Sequence, residues 1–319
     1  MEHLKEIISI VDKNKTKHIE IIGSGISKDS KLNQLYEGIL YGKFNSDVQA
    51  CKHLFGTNEL EKGYRNLKSR LEKRVLNTLF FIDTNAATYK EKEIAYYNCY
   101  KNLAAVKFLY GRGGVKAGLN LSEKTLKTTL KFDFHEISIP LLKDLRTYYG
   151  TLVGDKKKYK KYNTILKRLQ QDTIYEERAR EMYDSLASQY AHSKTVKPAH
   201  LKLAREYAKE LESYLDKTTY RTFHFYAHVV IVMKCEIEND FPKTIEVCNR
   251  ALNFLENMEH TTKTQRFFFL FKRMISRIKT RKLDDANSDA QKCLNLIQEG
   301  SLNWFVISQF YILLLFHSE

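Results

Sequence analysis

The sequence predicts an all-α protein: a small N-terminal helical unit followed by an α-solenoid of antiparallel helix pairs. Three observations carry that reading. The 319 residues contain only 3 Pro and 13 Gly, too few turn-formers for a β-sandwich or barrel. Hydrophobic residues make up 43% and charged residues 29%, the balance of a folded chain rather than a disordered one. Apolar side chains recur at three- and four-residue steps over most of the length, and after residue 200 a pattern of small residues repeats.

The elements follow in order. Glu2 to Val11 reads as a first short helix, and His18 to Ile22 as a short strand or helix end before Gly23-Ser24-Gly25. Ser30 is placed to cap a helix running to about Tyr41. Ser46 with Gln49 forms a capping box that opens the next helix, which Gly56 closes. Asn58 with Glu61 repeats the signature and opens a helix to about Ile82, striped by Leu60, Tyr64, Leu67, Leu71 and Val75. Residues 31–83 thus form a three-helix unit, and the N-terminal domain is set at 1–85. From there to 319 the helices pair up: Glu93–Tyr110, closed by Gly111-Arg112-Gly113-Gly114, then Val115–Lys131, Phe134–Tyr149, Lys158–Leu186 and Leu201–Leu215.

Beyond residue 200 three helices carry small residues at offsets 0, +4 and +7: Ala204/Ala208/Leu211, Thr244/Cys248/Ala251 and Ala286/Ala290/Cys293. Aromatic-rich helices, Thr222–Glu238, Thr264–Lys279 and Asn303–Phe316, alternate with them. Small residues on one helical face let a neighbour approach closely, and such units bury their apolar faces only by stacking. Asp240 to Leu252 resembles the second helix of a tetratricopeptide repeat, and Leu283 to Leu294 resembles another. The spacing is longer than that family's 34 residues, and the Trp, Leu-Gly and Tyr positions of its first helix are unmatched. The resemblance to a divergent tetratricopeptide-like array covers about 90–319. It implies a right-handed solenoid that holds a peptide or protein partner in a groove. The last aromatic helix, with Trp304, Phe305, Phe310, Tyr311, Leu313, Leu314, Leu315 and Phe316, has no small-residue helix after it. That points either to a truncated longer chain or to a surface covered by a partner or a second copy, giving a homo-oligomer.

The formal net charge is +15. Residues 86–165 contribute most of it, with 16 basic and 7 acidic side chains. The densest basic run is Lys156, Lys157, Lys158, Tyr159, Lys160, Lys161, our candidate surface for an acidic or amphipathic protein segment. The alternative is a DNA-binding regulator. Residues 31–83 would form a helix-turn-helix-like reading head, with Lys62, Arg65, Lys68 and Lys73 meeting phosphates and the array acting as sensor or dimeriser.

Catalytic, cofactor and metal sites are not expected. Ile22 to Lys28 lacks the third Gly of a dinucleotide fingerprint and the Gly-Lys-Ser/Thr of a phosphate loop. Gly111 to Gly114 reads as a turn needing positive φ. His224 and His228 lie one helical turn apart and could share a metal, but no third ligand is evident. The five cysteines, Cys51, Cys99, Cys235, Cys248 and Cys293, are scattered without a CxxC, as in a cytoplasmic protein with reduced thiols. The N-terminus lacks a signal-peptide h-region. The apolar stretch Leu302–Phe316, interrupted by Asn303, Ser308 and Gln309, is too short for a bilayer. The expected function is a non-enzymatic protein–protein interaction scaffold or adaptor.

Overall fold

The computed structural model describes residues 1–14, 30–81, 91–192, 198–259 and 261–318. Among them are fourteen α-helices and no strand. The expected strand or helix end at His18–Ile22, the Gly23–Gly25 turn and the Ile22–Lys28 loop lie outside the described residues, as does the 85/86 boundary. The chain divides into two compact units, Met1–Ala104 and Ala105–Glu319.

The first unit packs α1 (Glu2–Asn14), α2 (Lys31–Leu40), α3 (Asp47–Phe55) and α4 (Lys62–Thr78) around Leu4, Ile8, Leu35, Cys51, Tyr64, Leu71 and Val75. Ser30 caps α2 by accepting from the N–H of Asn33. Ser46 caps α3 by accepting from the N–H of Gln49. Gly56 closes α3 in the left-handed region, at φ 75°. The Asn58 cap does not form. The N-cap of α4 is Glu61, so Leu60 falls outside the helix and is exposed, while Tyr64, Leu67, Leu71 and Val75 are buried.

The second unit begins within α5 (Glu91–Gly111) and continues with α6 (Val115–Lys131) and α7 (His135–Tyr148). A π turn, Tyr149–Val153, then leads into α8 (Lys156–His192). At 1.5 Å per residue the 37-residue α8 is roughly 55 Å long. Its N-terminal half packs against α7, where Tyr162, Leu166 and Leu169 join Leu119, Leu126, Leu142 and Leu145. Its C-terminal half packs against α10 (Arg221–Ile237) and α9 (Pro198–Glu212) through Ala179, Met182 and Leu186. From α9 the array runs through α10, α11 (Phe241–Glu256), α12 (Lys263–Lys279), α13 (Leu283–Leu294) and α14 (Leu302–Ser318), each packed on its predecessor.

All nine small-ladder residues are buried, the most exposed being Ala208 at 4%. Thr244 keeps its hydroxyl satisfied by donating to the carbonyl of Asp240 at 2.9 Å. The repeated spacing therefore marks a run of helix pairs in close contact, an all-α solenoid-like arrangement. No helix among the described residues is long and apolar enough to cross a membrane.

Candidate functional site: a basic cleft at the α7–α8 turn

The π turn places the basic run. Five residues wound in the wider π geometry end at Gly154, whose φ of 74° lets the chain reverse into α8. Asp155 accepts from the N–H of Lys158 at 2.9 Å, which fixes the start of α8. The reversal leaves a cleft of about 420 Å³, lined on the α7 side by Arg146, Thr147, Tyr149, Gly150 and Thr151, and on the α8 side by Gly154, Lys156 and Tyr159. The ring of Tyr159 lies so close to Gly150 that a β-carbon there would come within 2.9 Å of it. A second cleft, of about 450 Å³, is also lined by Tyr149, together with Val115, Lys116, Leu119, Asn120, Glu123 and Val153.

The two clefts share a polar cluster at Tyr149. Glu123 Oε1 accepts three hydrogen bonds: from Tyr162 at 2.7 Å, Tyr149 at 2.8 Å and Lys158 at 2.9 Å. Lys158 also donates to the Tyr149 hydroxyl at 2.8 Å. Burial alone would raise the Glu123 carboxyl, but the bonds from Lys158, Tyr162 and Tyr149 hold it below its ordinary value. The same bonds, to Tyr149 and then Glu123, push the Lys158 ammonium well above its ordinary value. Lys158 is therefore a cation paired within the chain, which ties α8 to α6.

The rest of the run behaves differently. Lys156, Lys157, Lys160 and Lys161 are exposed. These four and Arg146 have no carboxylate partner among the described residues. Lys161 lies over the Tyr162 ring at 5.8 Å. Leu152 and Val153, 66% and 51% exposed, stand in the same π turn, and Val153 lines the second cleft. The arrangement offers unpaired cations beside an aromatic wall, which favours anionic groups.

The sequence offered the lysines and Tyr159 as candidates; the cleft and its polar cluster add Arg146, Tyr149, Gly150 and Glu123. Arg146, Tyr149 and Gly150 stand at i, i+3 and i+4 from the end of α7, a spacing that the sequence shows once the helix is known. Glu123 carried no signal.

The other candidates are less available. A cleft of about 180 Å³ between α9, α10 and α11 has Arg205, Lys209, Lys234 and Lys243 on its walls. Arg205 and Lys234 are both paired with Glu238, and Lys243 with Glu246. On α4, Lys62, Arg65 and Lys73 are exposed, but Lys68 bonds Asp47 at 2.8 Å. The α3–α4 connection runs over residues 56–61, longer than the three or four residues of a helix-turn-helix.

His224 and His228 face carbonyls. The ring Nε2 of His224 lies 2.7 Å from the carbonyl of Thr218, and Nδ1 of His228 lies 2.7 Å from that of His224. A carbonyl only accepts, so these nitrogens carry the protons of two neutral imidazoles. Burial lowers both pKa values, that of His228 to about 4. Among the described residues no three His, Cys, Asp or Glu side chains come together as a metal site. In comparisons with models of protein families, with curated proteins and with solved structures, the chain matches none.

Proposed function

We propose that the chain is a non-enzymatic binding scaffold, a divergent tetratricopeptide-like array that holds an acidic, amphipathic protein segment in the cleft at the α7–α8 turn. One observation carries this reading: Arg146 and Lys156 line the cleft without a carboxylate partner among the described residues, Lys157, Lys160 and Lys161 are exposed and likewise unpaired on the adjoining first turns of α8, and Lys158 alone in the run is neutralised within the chain, by Glu123. A merely solubilising surface has no need of a cleft with an aromatic wall. Tyr149, locked by Glu123 and Lys158, gives that cleft a preformed floor, which lowers the entropy lost on binding.

The test is a titration with a labelled glutamate-rich amphipathic peptide, followed by anisotropy at rising salt. Exposed ion pairs contribute about 0.2–1 kcal/mol each. Reversing Lys156, Lys157, Lys160 and Lys161 to Glu should therefore weaken binding by more than about tenfold, and Arg146→Ala by a smaller factor. Neutralising Lys62, Arg65 and Lys73 should leave the affinity unchanged. Failure to bind any such peptide at low salt would remove the proposal. Tight duplex binding abolished by the α4 changes and not by the cleft changes would install the nucleic-acid reading instead.

A further inference from the structure

The last helix of the array is apolar all round. α14 holds no Asp, Glu, Lys or Arg in its 17 residues. One face packs against α12 and α13 through Ile307, Phe310, Tyr311 and Leu314. The opposite face carries Leu302, Phe305, Ile312, Leu313 and Phe316, exposed by between 52% and 79%. At 100° per residue these five and Gln309 fall on a single stripe. The other aromatic-rich helices of the array are covered on both sides: α10 lies between α9 and α11, and α12 between α11 and α13. A helix that is apolar on every face is stable in water only when both faces are buried.

The stripe reads almost the same in both directions. Leu302 and Phe305 approach Gln309 from one end, and Phe316 and Leu313 approach it from the other at equal distances along the chain. We infer that this face is covered by a second copy of the chain, with the two α14 helices antiparallel about a two-fold axis at Gln309. That pairing sets Leu302 opposite Phe316 and Phe305 opposite Leu313, so that a large ring meets a smaller side chain at each level. The two Gln309 amides then lie side by side, where each can donate to and accept from the other. A lone polar residue in an apolar helix seam fixes register and orientation.

Area and charge agree with that occupant. The five apolar side chains expose roughly 500–600 Å² per copy, the size of patch that is functional on a monomer. A stable complex takes ~800 Å² from each partner, so the stripe alone supplies most of that area. No charge stands on the stripe to oppose self-association. A lipid surface fits less well, because helices lying on membranes carry Lys and Arg on their other face, and here that face is packed into the array.

The test is the mass of the full chain in solution, by sedimentation equilibrium, with helix content followed by circular dichroism. The expected result is a dimer at micromolar concentration. Leu313→Glu should convert it to a monomer with unchanged helix content. Gln309→Glu should weaken the dimer at neutral pH, and mixing Gln309→Glu with Gln309→Lys chains should restore it as a heterodimer, since only the two-fold register sets these positions together. A wild-type monomer at tens of micromolar would overturn the inference. So would a dimer that survives Leu313→Glu, or charge variants that show no preference for mixed pairs. A monomer that floats with phosphatidylcholine vesicles would overturn it in favour of a lipid surface.

Discussion

Arg281 stands between α12 and α13 with φ at 57°, in the left-handed region that favours glycine. Asp133 (φ 58°) and Asn239 (φ 56°) do the same between α6 and α7 and between α10 and α11. In each case the next N–H closes on a carbonyl five residues back, at 2.9 Å: Phe134 to Thr129, Asp240 to Cys235 and Lys282 to Arg277. This is one turn used three times, a Schellman closure that satisfies the last carbonyls of the leading helix. Asn and Asp relieve the left-handed conformation through their short polar side chains, whereas Arg meets a penalty of about 1 kcal/mol or more. Arg281→Gly should therefore stabilise the protein by ~0.5–1 kcal/mol, after the loss from a freer unfolded chain is subtracted. A thermal midpoint that falls, measured by calorimetry, would show that the Arg281 side chain contributes more than its backbone costs. Only the glycine version of such a turn was legible beforehand: Gly113, at φ 78°, lies in the glycine run between α5 and α6. Nothing in the chemistry of Arg281 announces its conformation. Glu123 was invisible for a related reason, since its partners Tyr149 and Lys158 follow 26 and 35 residues later and no local spacing rule connects them.

At the scale of elements, the small-residue ladder was readable because it is periodic, and helix pairing depends on that period. The polar clamp beside it was not. Asp289 is fully buried next to the ladder residue Ala290. Its carboxylate accepts from Arg273 through both oxygens, at 2.6 and 2.9 Å, and from Arg277 at 2.7 Å. Arg273 also donates to Asn249 at 2.6 Å, so α11, α12 and α13 share one network. The sequence shows an Asp and two Arg among many charged residues, and only three-dimensional convergence distinguishes them from a solvated surface. Asp289→Ala would leave the mostly buried Arg273 without its counter-ion and Arg277 with only Asp285, 3.8 Å away. It should cost about 3–5 kcal/mol. Ala290→Leu, which only overpacks the same seam, should cost about 1–3 kcal/mol. Urea midpoints of the two variants make the comparison. An Asp289→Ala protein as stable as the parent would mean that the clamp is not a structural element of the array.

Across the whole chain, the two units hold titratable groups that respond to acid at different pH. The second unit buries His135, His224 and His228 in neutral form. Burial, with Arg168 adding to it, lowers His135 to about 4, and burial lowers His228 to about 4. An unfolded chain would bind these protons near pH 6.5, so folding excludes protons between about 6.5 and 4. The stability these residues contribute is complete above pH 6.5 and is lost as the pH falls towards 4. The first unit depends on Asp47 instead. Burial would raise that carboxyl, but bonds from Lys68, Tyr64 and the amino group of Met1 lower it to about 2. Its contribution is complete above pH ~4 and is lost only as the pH falls through about 2. Acid should therefore unfold the second unit first. The single tryptophan, Trp304, lies in that unit and is partly buried, so its fluorescence reports α14 and its neighbours alone, while far-ultraviolet circular dichroism reports both units. The tryptophan signal should change between pH 6.5 and 4, with a residue of helix persisting until nearer pH 2. Replacing His228 by Phe should move the tryptophan transition to lower pH and leave the later helix loss in place. A single step in which both signals coincide would show that the two units do not unfold separately.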